Sequence, residues 1–413
     1  MRLFSAVVLL LAAAGGGAAP AQVLNPLPAR VFGQPGQPRS LTELANPVSL
    51  APNLAEARSL FSPGGVAVDT TADPPILYIA DTGNHRVLAW RDATVAEMAR
   101  PADLVIGQRD FSASAALNIT AAQAFTSALF SPTSVAVDAQ GNLFVADAGN
   151  NRILRFRRPF EQPAGEPVKA DLVIGQPNLK SNLPNRSSSA SAPPTAATLK
   201  TNAANIGGVQ LASLAFDAEG NLWFTDPGNH RILRYPAAAV RGESNTGEGG
   251  ADIEADLVLG QPGFVTATAN QGRLDPARGD RLRRDSIRFG GPLAFDSQGN
   301  LFFADDLARV LVWQPPFVNG QAASRILGLY IQQAAAEPLP AVNQYTFGFR
   351  SGLSGSTPIF AGGPQGLWCE GDYLFVADTE NHRVVRFDPV ASWPPEDPAQ
   401  GQISPPMSAV FGQ

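Results

Sequence analysis

Four short apolar runs recur in the same order five times along the chain. The first closes on an acid: Val66-Ala67-Val68-Asp69, Val135 to Asp138, Leu214-Ala215-Phe216-Asp217, Leu293 to Asp296 and Leu367-Trp368-Cys369-Glu370. The second closes on Asp81, Asp147, Asp226, Asp305 or Asp378, and a Gly-Asn-His/Asn-Arg phrase leads from it into the third. The fourth ends in Gly-Gln: Leu104 to Gln108, Leu172 to Gln176, Leu257 to Gln261, a worn Ile326-Leu327-Gly328-Leu329, and Val410-Phe411-Gly412-Gln413. Runs of this length, rich in Val, Ile, Leu and Phe and bounded by Gly, Asn, Asp or Pro, are strands. Gly141-Asn142, Gly220-Asn221 and Gly299-Asn300 suit the positive φ of tight hairpin turns. No helical period of comparable strength occurs. Four antiparallel strands repeated radially make a β-propeller blade, so the pattern predicts an all-β propeller with five clear blades.

The repeats are longer than a blade needs. Successive second-run aspartates lie 66 residues apart from Asp81 to Asp147 and 79 apart from Asp147 to Asp226, against roughly 40–45 for a bare blade. The excess falls in 109–131, 177–211, 262–290 and 330–363, rich in Ala, Ser, Asn, Pro and Gly, which read as long loops. In an up-and-down blade these inserts share a face with the Asn-His-Arg turns, and long loops on a rigid scaffold carry function. One further copy of the fourth run, Val31-Phe32-Gly33-Gln34, precedes all the blades.

The start of the chain changes the picture of its location. Met1-Arg2-Leu3, an apolar stretch to Ala14 and the small residues Ala19-Pro20-Ala21 have the form of a secretory signal peptide cleaved after Ala21. The apolar stretch is shorter than the ~20 residues of a membrane span. The expected organisation is a signal peptide over 1–21, an N-terminal segment over 22–59 whose residues 31–34 can supply a closing strand, and a propeller over 60–413. The expected location is periplasmic or secreted, as a monomer without membrane insertion. A net charge of −6, with no basic stripe interleaved with aromatics, argues against a nucleic-acid partner. The single cysteine, Cys369, excludes an intramolecular disulfide and stands in a strand as a small apolar residue.

Ala-Asp-x-Gly-Asn-His-Arg-Val following Val-Ala-Val-Asp closely resembles the NHL repeat, over most of the chain past residue 60. The resemblance implies a propeller, usually of six blades, serving as a sensor or as a protein- or RNA-binding platform. In one branch it serves as a zinc-dependent lyase. The six-bladed habit favours six sectors over the five repeats counted. Val31 to Gln34 then supplies an outer strand for a degenerate sixth blade or for ring closure, a role for which Val410 to Gln413 competes. In the lyase branch, zinc-binding His residues follow a Pro that enters the first strand. Here Pro63, Pro132 and Pro364 are followed by Gly64, Thr133 and Gln365, and units three and four show Leu211-Ala212 and Gly290-Gly291, so no zinc set is expected. His85, His230 and His382 all sit in the Asn-His-Arg turn and read as turn residues.

Residues present in every repeat are explained by what every blade needs. The repeated aspartates are expected to serve the adjoining turns and the following Arg. Departures are therefore the candidates. Unit four loses Gly-Asn-His and shows Asp305-Asp306-Leu307-Ala308-Arg309, and the insert before it is dense in charge from Arg273 to Arg288. Insert arginines closing over Asp305 and Asp306 make an ionic clasp. Alternatively Arg281, Arg283 and Arg284, with Asp305 and Asp306, line a site for an anion such as a carboxylate, a sulfate or an acidic sugar. No catalytic residue, metal set or cofactor motif stands out. The expected function is an exported binding or scaffold module for a protein, peptide or saccharide, presented on the insert-bearing face. The alternative is a metal-dependent propeller lyase or lactonase with a central ion.

Overall fold

The computed structural model describes residues 55–95, 100–117, 126–206, 208–246, 251–272, 282–329, 342–348, 350–354, 357–361 and 363–412. Val31 to Gln34 and Arg281 lie outside them. Five four-stranded antiparallel sheets follow one another. Blade one is β1 Gly65–Asp69, β2 Ile76–Asp81, β3 Arg86–Trp90 and β4 Leu104–Ile106, and blade two is β5 Pro132–Val137, β6 Leu143–Asp147, β7 Arg152–Phe156 and β8 Leu172–Ile174. A two-stranded pair, β9 Asn202–Ala203 and β10 Gly208–Val209, precedes blade three: β11 Leu214–Phe216, β12 Leu222–Asp226, β13 Arg231–Tyr235 and β14 Leu257–Leu259. Blade four is β15 Leu293–Phe295, β16 Leu301–Asp305, β17 Arg309–Trp313 and β18 Arg325–Leu327. The hairpin β19 Arg350–Ser354 and β20 Thr357–Ala361 precedes blade five: β21 Gly366–Glu370, β22 Tyr373–Asp378, β23 Arg383–Phe387 and β24 Ala409–Phe411. The one α-helix among the described residues is the single turn Ala237–Val240.

Each blade is a meander because its turns are written into the repeat. Gly141, Gly220 and Gly299 take φ of 77°, 83° and 78°, and the preceding Asp side chain closes the turn. Asp138 accepts from the Asn142 backbone N–H at 2.9 Å and from its amide at 2.8 Å, and Asp217 and Asp296 repeat the arrangement. The strand alternation puts one apolar set on each face of a blade, and neighbouring blades bury those faces against each other. Val145 and Leu154 join Tyr78 and Val87 between blades one and two, Phe144 and Ile153 join Leu222 and Leu233 between two and three, and like clusters join three to four and four to five. Tyr78, Trp223 and Trp313 are almost wholly buried there, so each interface removes several large side chains from water at about 25 cal/mol per Å². Among the described residues no helix is long and apolar enough to cross a membrane.

Candidate functional site

The repeated aspartate is a structural lock. In blades one to three and in blade five its Oδ2 accepts from Nε of the Arg five residues on, at 2.8, 2.8, 2.9 and 2.7 Å, with both side chains nearly or wholly buried. The Asn three residues on donates to the same oxygen, and Oδ1 accepts the backbone N–H of the segment leading into the blade, from Phe61, Phe130, Lys200 or Gly348. In these four blades the aspartate therefore takes up the lead-in N–H instead of capping the turn that follows it, which has no side-chain cap. The guanidinium reaches on to insert carbonyls. Arg152 donates to Thr126, Ala128 and Leu179, and Arg231 donates to Thr195, Thr198 and Phe264. In blades two and three the lock thus ties two inserts to its blade. Burial pushes the Asp81 and Asp147 carboxyls upward while these donors pull against it.

The fourth position of the turn needs the left-handed conformation: His85, Asn151, His230, Ala308 and His382 have φ of 57°, 51°, 53°, 53° and 54°. His and Asn tolerate that region better than most residues. Three of these side chains reach the segment that leads into the following blade. The His85 Nδ1 accepts from the Ser131 N–H at 3.1 Å, Asn151 accepts from the Thr201 and Asn202 N–H groups at 2.7 Å, and His230 meets the Arg288 carbonyl. Burial holds the His85 and His230 imidazoles below the ordinary value.

Blade four departs as the sequence indicates. Asp305 keeps its lock with Arg309 at 2.8 Å and accepts from the Leu307 N–H at 2.9 Å. Asp306, where the other blades carry Thr82, Ala148, Pro227 and Thr379, is held by Arg288 through Nε at 2.8 Å and Nη2 at 2.6 Å. An insert arginine does close over Asp306, and it is Arg288. Arg283 pairs with Asp285, and Arg284 forms two 2.6 Å bonds with Glu396, which also meets Arg325. Arg283 contributes only its carbonyl to Arg309. The five residues singled out from the sequence therefore do not form one cluster: Asp305 and Asp306 stand together, Arg283 and Arg284 face other partners, and Arg281 lies outside the described residues. Burial pushes the Asp306 carboxyl up to about 6 against the pull of Arg288, and Asp305 adds to the rise.

Asp305 and Asp306 border the mouth of the propeller axis, a concavity of about 160 Å³. The residues that follow the entering prolines, Gly64, Thr133 and Gln365, meet there with Ala212 and Gly291. Its hydroxyls hold neighbouring blades together. Thr133 donates to the Ala212 carbonyl at 2.9 Å, and Ser134 accepts from the Leu214 N–H at 3.1 Å. The zinc implied by the lyase branch takes imidazole, thiolate or carboxylate ligands. The mouth offers no imidazole or thiolate, and its two carboxylates, Asp305 and Asp306, are already held by Arg309 and Arg288, so the residues present do not fit that ion. Among the described residues no three His, Cys, Asp or Glu side chains gather as a metal set.

A second and larger concavity, about 270 Å³, lies in the 177–211 insert and is lined by Asn185, Ser188, Ser189, Lys200, Asn202 and Asn205 among others. Lys200 occupies the lead-in position held by Phe61 and Phe130 in blades one and two. Its backbone is locked to Asp226, and its ammonium lies 3.5 Å from the Ala190 carbonyl. Burial holds that ammonium below the ordinary lysine value, with Asp226 pulling it back. Lysine is 8% exposed here. Sequence reasoning passed over it because the insert has no repeat to depart from; aligning the lead-in residues alone would have exposed it.

Residues 131–156 match the NHL repeat family model. The chain is a β-propeller that carries an NHL repeat. No curated protein matches it. Among solved structures, the propeller is similar to virginiamycin B lyase from Staphylococcus aureus at 11% identity and a TM-score of 0.35, over 79% of this chain and 66% of that one. It therefore spans just under two thirds of the lyase. It is also similar to a chain of a nidogen–laminin complex, at 13% identity and 0.39 over 85% and 80%. A third is a gluconolactonase from Xanthomonas campestris, at 15% and 0.33 over 84% and 75%. These similarities assign no activity.

Proposed function

We propose that this propeller is an exported binding module whose insert-bearing face takes a small anionic ligand in the Lys200 concavity. The observation that carries the reading is the contrast between the two kinds of polar residue. The repeated Asp, Arg and Asn groups are consumed by locks within the blades, whereas Lys200 is a desolvated cation at the rim of a cavity with amide and hydroxyl neighbours. A cation stripped of part of its water gains more from an anion than an exposed one does. Ligand sites commonly measure about 300–1,000 Å³, so 270 Å³ suits a molecule the size of a monosaccharide. Asn202, Asn205, Ser188 and Ser189 offer hydrogen-bonding groups for ring hydroxyls. The chemistry points to a sugar acid. Calorimetric titration with glucuronate and galacturonate, beside neutral glucose, tests this. Wild-type protein is expected to bind a uronate and not glucose, and Lys200→Met to weaken binding at least tenfold with an unchanged melting temperature. Equal binding by Lys200→Met would overturn the assignment.

A further inference from the structure

The Lys200 concavity has two unlike walls. One wall, Lys200 and the turn from Asn202 to Asn205, is fixed to the blades: the Lys200 N–H donates to Asp226, and the Thr201 and Asn202 N–H groups donate to the Asn151 side chain. The other wall is a strap, residues 187–193, of which Ser188, Ser189 and Ala190 line the cavity. Ser188 to Ser191 and Pro193 are exposed.

Both ends of the strap are anchored. Before it, the Asn185 N–H donates to the Leu199 carbonyl at 2.8 Å, and its carboxamide pairs reciprocally with that of Asn229 at 3.0 and 2.8 Å. Arg186 meets both carboxylate oxygens of Asp252, at 2.8 and 2.9 Å. After it, the Thr195 and Thr198 carbonyls accept from Arg231, and the Ala196 carbonyl accepts from the Ala255 N–H at 3.0 Å. Between the anchors the backbone bonds are local, from the Ser187 N–H to Pro184 and from the Ala192 N–H to Ser189. Three side-chain donors tie the strap to its surroundings among the described residues. The Lys200 ammonium and the Asn205 amide share the Ala190 carbonyl at 3.5 and 3.3 Å, and the Asn185 amide takes the Ala192 carbonyl at 3.1 Å. Two of the three are therefore groups that face the cavity and that a ligand needs.

We infer that residues 187–193 form a gate over the Lys200 site, held shut in the free protein by Lys200 and Asn205 and released when an anion takes the ammonium. The gate is read from the free protein, and its release rests on the uronate reading above. No residue of the strap is ionisable, so it offers the ammonium only a neutral carbonyl at the long end of the hydrogen-bond range. A carboxylate offers a charge-assisted bond of about 2.7–2.9 Å and displaces that carbonyl. Asn205 is then free to turn to a sugar hydroxyl. A neutral sugar brings no charge to exchange for the carbonyl and leaves the gate shut, so the strap adds to discrimination against it. Pro193-Pro194 at one end, and Asn185 and Arg186 at the other with φ of 50° and 55°, fix the two pivots.

A nitroxide on Ser191→Cys in a Cys369→Ser background reads the strap by electron paramagnetic resonance. The free protein is expected to give the spectrum of an ordered loop. Without ligand, Lys200→Met and Asn205→Ala are each expected to shorten the correlation time of the label at least about threefold at an unchanged melting temperature. If Lys200→Met does not fold, Asn205→Ala is read alone. Saturating glucuronate is expected to mobilise the strap of the parent protein in the same way, and glucose to leave it unchanged. An unchanged spectrum in the folded variants overturns the gate, and so does a strap that glucuronate immobilises further. A strap freed by the variants in a protein that binds no uronate by calorimetry upholds the gate and removes the ligand reading instead.

Discussion

A buried ion pair and a half-buried one differ in what they hold at the scale of single residues. Asp226 and Arg231 are wholly buried, and the guanidinium also satisfies three insert carbonyls. Removing Arg231 leaves a buried carboxylate without its counter-charge and those carbonyls without that donor, a loss of about 3–5 kcal/mol. Arg231→Ala is therefore expected to lower the denaturant midpoint sharply and to make the 177–211 insert easier to cleave. Arg288→Ala, which opens a pair with about a fifth of each side chain exposed, is expected to change stability by roughly 1 kcal/mol. Asp306 adds a pH signature. Its carboxyl is raised to about 6 from a reference of 3.8, so the folded state binds the proton more tightly than the unfolded state does. The corresponding stability is complete below pH 4 and is lost as pH rises through 6, at most about 3 kcal/mol. Asp306→Asn is expected to flatten that part of the stability–pH curve. A curve with the same slope between pH 4 and 6 in the variant would place the proton elsewhere.

Turns and lead-ins, at the scale of elements, are where the repeat enforces itself. The φ near +50° at His85, Asn151 and His230 explains why one slot accepts His and Asn, and their bonds to the next blade explain why a polar residue recurs. Gly175 shows the same economy. Its φ is +92°, and a Cβ there would lie 2.6 Å from Leu199 and 3.0 Å from the Asn151 carbonyl. Gly175→Ala combines backbone strain with overlap and is expected to cost roughly 1–3 kcal/mol, read from the unfolding midpoint. Strands, hairpin turns and the alternation of buried faces were all legible in the sequence, because each is dictated by a local pattern repeated five times. The partner of each repeated aspartate was legible only in part. Arg at a fixed spacing announces the pair, but the lead-in N–H that takes Oδ1 arrives from 17 to 30 residues away.

Across the whole molecule, the functional surface was the least legible part. The sequence placed the inserts on one face, and the Arg locks show why they stay there. It also marked Asp306, beside the repeated Asp305, by its departure from the repeat. Which arginine would meet Asp306 depended on the path of a non-repeating insert, and no periodicity encodes that path. The same holds for Lys200, whose concavity is shaped by loop residues between Pro184 and Asn205. On the proposed reading, repeated polar residues build the propeller while an irregular insert binds the ligand. A crystal structure of the protein soaked with a uronate tests this most directly. The carboxylate is expected against the Lys200 ammonium, with the sugar hydroxyls toward Asn202 and Asn205. Sugar density at the axis mouth beside Asp306, with the Lys200 concavity filled only by water, would contradict it.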